Sequence, residues 1–167
     1  MERATRKNAR LKDYDYSRNG AYFITVCVKD GCEWLWENEP VGARIARPLT
    51  SAGKIIETSI NEISVRYPMI EVLKYVIMPN HLHMILLINN DGRAMRAPTV
   101  STVINQIKGY VTKQLGYSVW QKLFYDHIIR NEADYLRIWK YIDENPLKWE
   151  DDKYFSESNG IQSVLPR

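Results

Sequence analysis

The chain has 167 residues, 45% hydrophobic and 26% charged, enough apolar material for one domain with a core, and this excludes disorder throughout. Twenty-three Lys and Arg against twenty Asp and Glu leave a formal charge of +3, too little by itself to identify a polyanionic partner. The distribution says more: Arg3, Arg6, Lys7, Arg10 and Lys12 crowd the first dozen positions, where Glu2 is the only acid.

Two cysteines, Cys27 and Cys32, are too few for a disulfide scaffold, and no apolar stretch follows a basic start in the manner of a secretory leader. The most apolar run, Met84 to Ile88, is far shorter than the roughly 20 residues of a membrane span. A cytoplasmic protein with reduced thiols and no membrane partner is the expectation. Eleven Tyr and five Trp suit either a packed core or a surface on which bases stack, and composition does not choose between them.

In chain order, a turn-rich string from Asp13 to Gly20 leads into Ala21–Val28, a β-branched and aromatic run that predicts the first strand. Lys29-Asp30-Gly31 predicts a turn, and Cys32–Trp36 a short return strand of a hairpin. Residues 37–49 read as a loop. From Thr50 to Arg66, apolar residues at Ile55, Ile56, Ile60 and Ile63 predict one helix, ended by Pro68. Ile70–Met78 and His81–Ile88 predict adjacent strands joined by Pro79-Asn80. After a polar loop with Arg93 and Arg96, Thr99–Leu115 predicts a second helix, capped by Thr99 or Ser101 and ended by Gly116. Leu123–Arg130 predicts a last strand. Asn131 then caps a third helix running to about Asn145, where Pro146 is expected to push the preceding residue out of helical geometry. The order is that of a split βαβ, ferredoxin-like α+β sandwich with an antiparallel sheet and an added C-terminal helix.

His81-Leu82-His83 carries the most chemistry. A strand's period of two turns both imidazoles to one face and Leu82 to the other, so the pair can ligate one metal or can be two hydrogen-bonded core histidines. A structural zinc set with Cys27 and Cys32 is disfavoured, because that cysteine pair straddles a predicted turn without forming a tight knuckle. On the third helix, at about 100° per residue, Tyr135, Ile138, Trp139 and Ile142 form the core stripe. Tyr141 falls off it, and Asn145, four residues on, lies along the same flank. The pair reads either as a boundary tyrosine with a helix-ending asparagine, or as a nucleophile with an oxygen ligand. Tyr110 is a rival nucleophile near basic residues. Asp134 is one carboxylate placed to act as a base, although the base cannot be identified from spacing.

Tyr75-Val76-Ile77-Met78-Pro79-Asn80-His81-Leu82-His83-Met84-Ile85 resembles the HUH motif of the single-tyrosine transposases, in the form of the REP-associated tyrosine transposases. Tyr14–Ser17 with Gly20–Thr25 resembles their opening strand. Trp120-Gln121, Asp126–Arg130 and Tyr141–Pro146 resemble their C-terminal block. The resemblance implies the HUH endonuclease fold, with a basic arm at 1–20, a catalytic domain at 21–150 and a C-terminal tail at 151–167. It implies that His81, His83 and Asn145 bind Mg2+ or Mn2+. Insertion-sequence members carry glutamine where Asn145 stands here, so the third ligand is one methylene shorter. Tyr141 would attack single-stranded or hairpin DNA, leaving a 5′-phosphotyrosine and a free 3′-hydroxyl, so that strands can be cut and rejoined without ATP. Arg3, Arg6, Lys7 and Arg10, extended by Lys108 and Lys113, would grip the DNA. The likeness implies a site assembled within a monomer, with a homodimer as the alternative. The competing function is a DNA-binding module of the same fold that no longer cuts.

Overall fold

The computed structural model describes residues 15–37, 47–90 and 98–155. Four strands, β1 (Gly20–Cys27), β2 (Ile70–Ile77), β3 (His81–Ile88) and β4 (Tyr125–Ile129), form one antiparallel sheet in the order β2-β3-β1-β4. The helices are α1 (Ser51–Asn61), the single turn α2 (Ile63–Arg66), α3 (Val100–Leu115) and α4 (Glu132–Glu144). Each parallel pair, β1 with β2 and β3 with β4, has an intervening strand, which is the split βαβ arrangement expected.

Alternation along the strands explains why helices lie on both faces. Tyr22, Ile24 and Val26 on β1 join Leu82, Met84, Leu86 and Ile88 on β3 in a core with Ile56 and Ile60 of α1 and Val103 and Ile107 of α3. The other face turns Phe23 and Ile85 to Ile138 and Ile142 of α4. β3 is therefore buried on both sides, and its sequence is almost continuously apolar for that reason. The helix signals act where expected. Thr50, Thr99 and Asn131 accept hydrogen bonds from Gly53, Thr102 and Asp134 amides, and Gly116 ends α3 at φ 80°.

Three local expectations are corrected. Cys32–Trp36 is not a return strand: β1 is central, with β3 on one side and β4 on the other, so no edge remains for a hairpin partner. The segment makes only a single bridge, Trp36 to Leu49, after a turn in which Asp30 and Gly31 adopt φ 57° and 71°. The first predicted helix breaks at Glu62, whose ψ of −8° separates α1 from α2. Asn145 keeps helical angles (φ −56°, ψ −43°) despite the following proline. Pro146 sits in the first turn of a 3-10 segment, Asn145–Asp151, where its missing N–H costs nothing. Trp149 anchors that segment against Trp36 and Met78. Tyr141 and Asn145 thus ride on one unbroken helical path.

Candidate active site

The turn between β2 and β3 builds the site. Met78 N–H donates to the His81 carbonyl at 2.8 Å, and the chain from β1 clamps the turn through Val28 N–H to Asn80 O and Leu35 N–H to Pro79 O. His81 then opens β3 opposite Cys27, and His83 follows opposite Thr25, both on the α4 face and both with no solvent exposure. Their Nε2 atoms stand 3.0 Å apart.

The partners of the other ring nitrogens fix the chemistry. Asn80 is buried, and its Nδ2 donates to the carbonyls of Gly31 (3.1 Å) and Tyr154 (2.8 Å), so its Oδ1 is the atom facing His81 Nδ1 at 2.8 Å. His81 therefore carries its proton on Nδ1 and presents an Nε2 lone pair. His83 Nδ1 meets the Thr25 hydroxyl at 2.8 Å, a group that can donate or accept. Two arrangements satisfy every atom: His83 Nε2–H donating to His81 Nε2, or two Nε2 lone pairs converging on a cation. Two nitrogens about 2.1 Å from one octahedral ion and adjacent in its shell stand about 3.0 Å apart, which is the separation observed. Burial pushes His81 down to about 4, the Asp152 charge opposing this and Lys153 adding to it. Burial, with the neighbouring His81 and Lys153 charges, holds His83 well below the ordinary range. Both rings are neutral at pH 7, as ligands must be.

The α4 helix brings Tyr141 over this pair. Its hydroxyl lies 3.1 Å from His83 Nε2 and 3.4 Å from Asp152 Oδ2. Phe23 wedges beside both, stacked on His83 at 5.2 Å and edge-on to Tyr141 at 6.1 Å. Burial and then the Asp152 charge raise the phenol, pushing it up to about 12, with the Asn145 hydrogen bond opposing. Asn145 is 4% exposed; its Nδ2 donates to Asp152 Oδ2 at 2.9 Å, while its buried Oδ1 has no hydrogen-bond partner among the described residues.

Sequence reasoning missed Asp152 and Tyr154, both in the stretch read as a tail. His81, His83 and Asp152 form a group able to hold a metal, their ligand atoms all within 4.8 Å of one another. Tyr154 lays its ring 4.4 Å from that of His81, and its backbone N–H donates to Asp152 Oδ1. Both follow a 3-10 turn with no periodic pattern, so nothing in their spacing pointed to the site.

No protein-family model matches the chain. A Haemophilus influenzae protein of uncharacterised function is 32% identical over 90% of this chain and 93% of its own. The REP-associated tyrosine transposase of Escherichia coli K12 is 26% identical over 80% of this chain and 70% of its own. A solved structure of a REP-associated tyrosine transposase bound to a REP hairpin superimposes with a TM-score of 0.60 at 26% identity, covering 86% of this chain and 77% of that one. Over most of its length the chain is similar in sequence and fold to REP-associated tyrosine transposases.

Within this transposase-family fold the remaining candidates fall elsewhere. Tyr110 packs against the main core on α3, across the sheet from the histidines. Asp134 is committed to His127 at 2.7 Å and Arg137 at 2.5 Å. Cys27 and Cys32 are not linked in a disulfide and do not join the histidines in a metal-capable group. Lys108 spends its amine on the carbonyls of Gln121, Lys122 and Leu123, tying down the loop before β4, and burial lowers its pKa. Lys113 is exposed on α3. Arg3, Arg6, Lys7 and Arg10 of the basic arm, and also Arg93 and Arg96, lie outside the described residues. No helix of the described residues is long and apolar enough to cross a membrane.

Proposed function

We propose that this chain is a metal-dependent endonuclease and strand transferase that cuts and rejoins single-stranded or hairpin DNA through Tyr141. The observation that carries the reading is the Tyr141 hydroxyl 3.1 Å from a neutral His83 Nε2 whose own neighbour, His81 Nε2, is 3.0 Å further on. His81 and His83 would hold Mg2+ or Mn2+, and Asn145 Oδ1 would complete the set, because it is the buried acceptor left without a partner. When bound, that ion supplies positive charge to offset the charge of the scissile phosphate. Tyr141 attacks phosphorus, the Oη–P bond forms, the P–O3′ bond breaks, and the departing 3′ oxygen takes up a proton from solvent water. The phenol proton passes to Asp152 Oδ2, the carboxylate the hydroxyl already faces. The phosphodiester energy is kept in the tyrosyl linkage, so a strand's 3′-hydroxyl can reverse the step. The basic arm at 1–20, with exposed Lys113, would supply phosphate contacts.

The test is a labelled hairpin oligonucleotide incubated with the protein and Mn2+, then run on a denaturing gel. Wild type forms a covalent adduct; Tyr141→Phe loses it and keeps DNA affinity. Hairpin binding without any adduct would leave a DNA-binding module in place of the enzyme.

A further inference from the structure

A cavity of about 520 Å³ opens beside Tyr141, between β4, α4 and the 3-10 segment. That volume lies in the range of small-molecule sites and is too small for a duplex. Its wall is not simply basic. Arg137, Lys148 and Lys153 are matched by Glu144, Asp151 and Asp152, and two of the cations are already spent, Arg137 on Asp134 at 2.5 Å and Lys148 on Glu144 at 2.6 Å. A balanced wall offers an inorganic anion no net excess of positive charge. Its distinguishing surface is aromatic and apolar: Phe23, Ile138 and the ring of Tyr125, which is 44% exposed and meets Phe23 edge-on at 6.5 Å.

Exposure of a large aromatic at a strand start needs a reason. Tyr125 shares the α4 face with Thr25 and His83, one strand over in register, so its ring continues the floor on which Phe23 and His83 lie. Lys153 makes no ion pair among the described residues; its amine stands 6.0 Å from the Tyr125 ring and 4.9 Å from Tyr154, at the edge of the same surface. A flat ring, an available cation and a neutral surround match a nucleobase with its adjoining phosphate. An extruded base in a fitted pocket is how enzymes that act on nucleic acid gain access to one nucleotide.

We propose that this cavity takes one unstacked nucleotide of a single DNA strand, its base lying against Tyr125 and its neighbouring phosphate drawn to Lys153. The inference rests on Tyr141 being the nucleophile, because that places the attacked phosphate at the cavity mouth and makes this nucleotide the one beside the cut. The pocket then selects for a strand that is unpaired at the cleaved step, independently of how the hairpin is held.

Hairpin oligonucleotides with single-stranded flanks, selected from a randomised pool by the wild-type chain, provide the probe. Each flank position is made abasic in turn and affinity is measured without divalent metal, so that the readout does not depend on cleavage. At one position wild type should prefer the intact base roughly 5- to 150-fold, the worth of one base–aromatic stack. Tyr125→Ala should bring that preference to near unity, and Tyr125→Phe should restore it, which a merely structural tyrosine would not produce. Lys153→Ala should weaken intact and abasic strands equally at that position. Base dependence absent at every position, or Tyr125→Ala weakening intact and abasic strands alike, overturns the proposal. Base dependence with no covalent adduct would instead refute the cleavage reading and leave the pocket standing.

Discussion

Replacing Asn80 with alanine removes three hydrogen bonds at once, to the Gly31 carbonyl, the Tyr154 carbonyl and His81 Nδ1. At about 1 kcal/mol each, with the side chain 2% exposed, the loss of stability is roughly 2–4 kcal/mol. The effect on metal binding has a separate origin. Asn80 Oδ1 is what holds the His81 proton on Nδ1, and loss of such an outer partner weakens metal affinity about 10- to 100-fold. Asn80→Asp separates the two effects: it keeps an acceptor for His81 and loses both donors. Urea unfolding should therefore show both variants destabilised, whereas calorimetric Mn2+ titration should show Asn80→Asp binding more tightly than Asn80→Ala by most of that factor. Nitrogen-15 shifts of the wild-type imidazoles should report His81 as the Nδ1–H form before metal is added. An Asn80→Ala protein that binds Mn2+ as tightly as wild type would refute the reasoning.

Asp152→Asn should slow adduct formation while leaving Mn2+ affinity near wild type, if Asp152 serves as the proton acceptor; a 10- to 100-fold loss of affinity would make it a metal ligand instead. The same variant should lower the ultraviolet titration midpoint of Tyr141 from about 12, because the Asp152 charge is one of the causes raising it. In metal-free buffer, stability should be indifferent to His81 above pH 6.5, where folded and unfolded chains both hold a neutral ring. Between 6.5 and about 4 the unfolded chain takes a proton at His81 that the folded one refuses, so this ring's contribution to stability should fall by about 1.4 kcal/mol per pH unit and then level off, with His83 adding a slope of the same sign. His81→Gln should reduce the slope in denaturant melts at stepped pH, leaving the part due to His83, and an unchanged slope would remove His81 as a source. Gly53→Ala should lower the urea midpoint despite better helix propensity. Its Cβ would stand 2.5 Å from the Leu35 carbonyl oxygen and 3.0 Å from Leu49 Cβ, and such overpacking costs about 1–3 kcal/mol against a gain of roughly 1. A raised midpoint would contradict the close approach.

The regular elements were readable because their signals are local. Thr99 and Gly116 bound α3 through side chain and backbone geometry that belong to those residues themselves. His81 and His83 share a face for the same reason, a strand's period of two, and Tyr141 stands outside the buried stripe of α4, 36% exposed where Ile138 and Ile142 are buried. What was not readable depends on partners distant in sequence. The hairpin expected after β1 fails because β4, arriving a hundred residues later, takes the edge. The helical state of Asn145 before proline depends on Asp152 and on Trp149 meeting Trp36, none of which its dipeptide context reveals. Asp152 and Tyr154 enter the site by a chain path, and a path has no periodicity to detect.

The two faces of the sheet are unequal in a way that bears on motion. Among the described residues, twenty-two buried side chains knit α1 and α3 to one face, whereas four, Phe23, Ile85, Ile138 and Ile142, hold α4 to the other, with the Lys74–Asp143 contact at 2.6 Å outside them. Amide exchange should therefore begin in α4 while β1 and β3 are still protected. The helix carrying Tyr141 is the one the fold can release without unfolding, and because Tyr141 and Asn145 share its axis, they leave and return together.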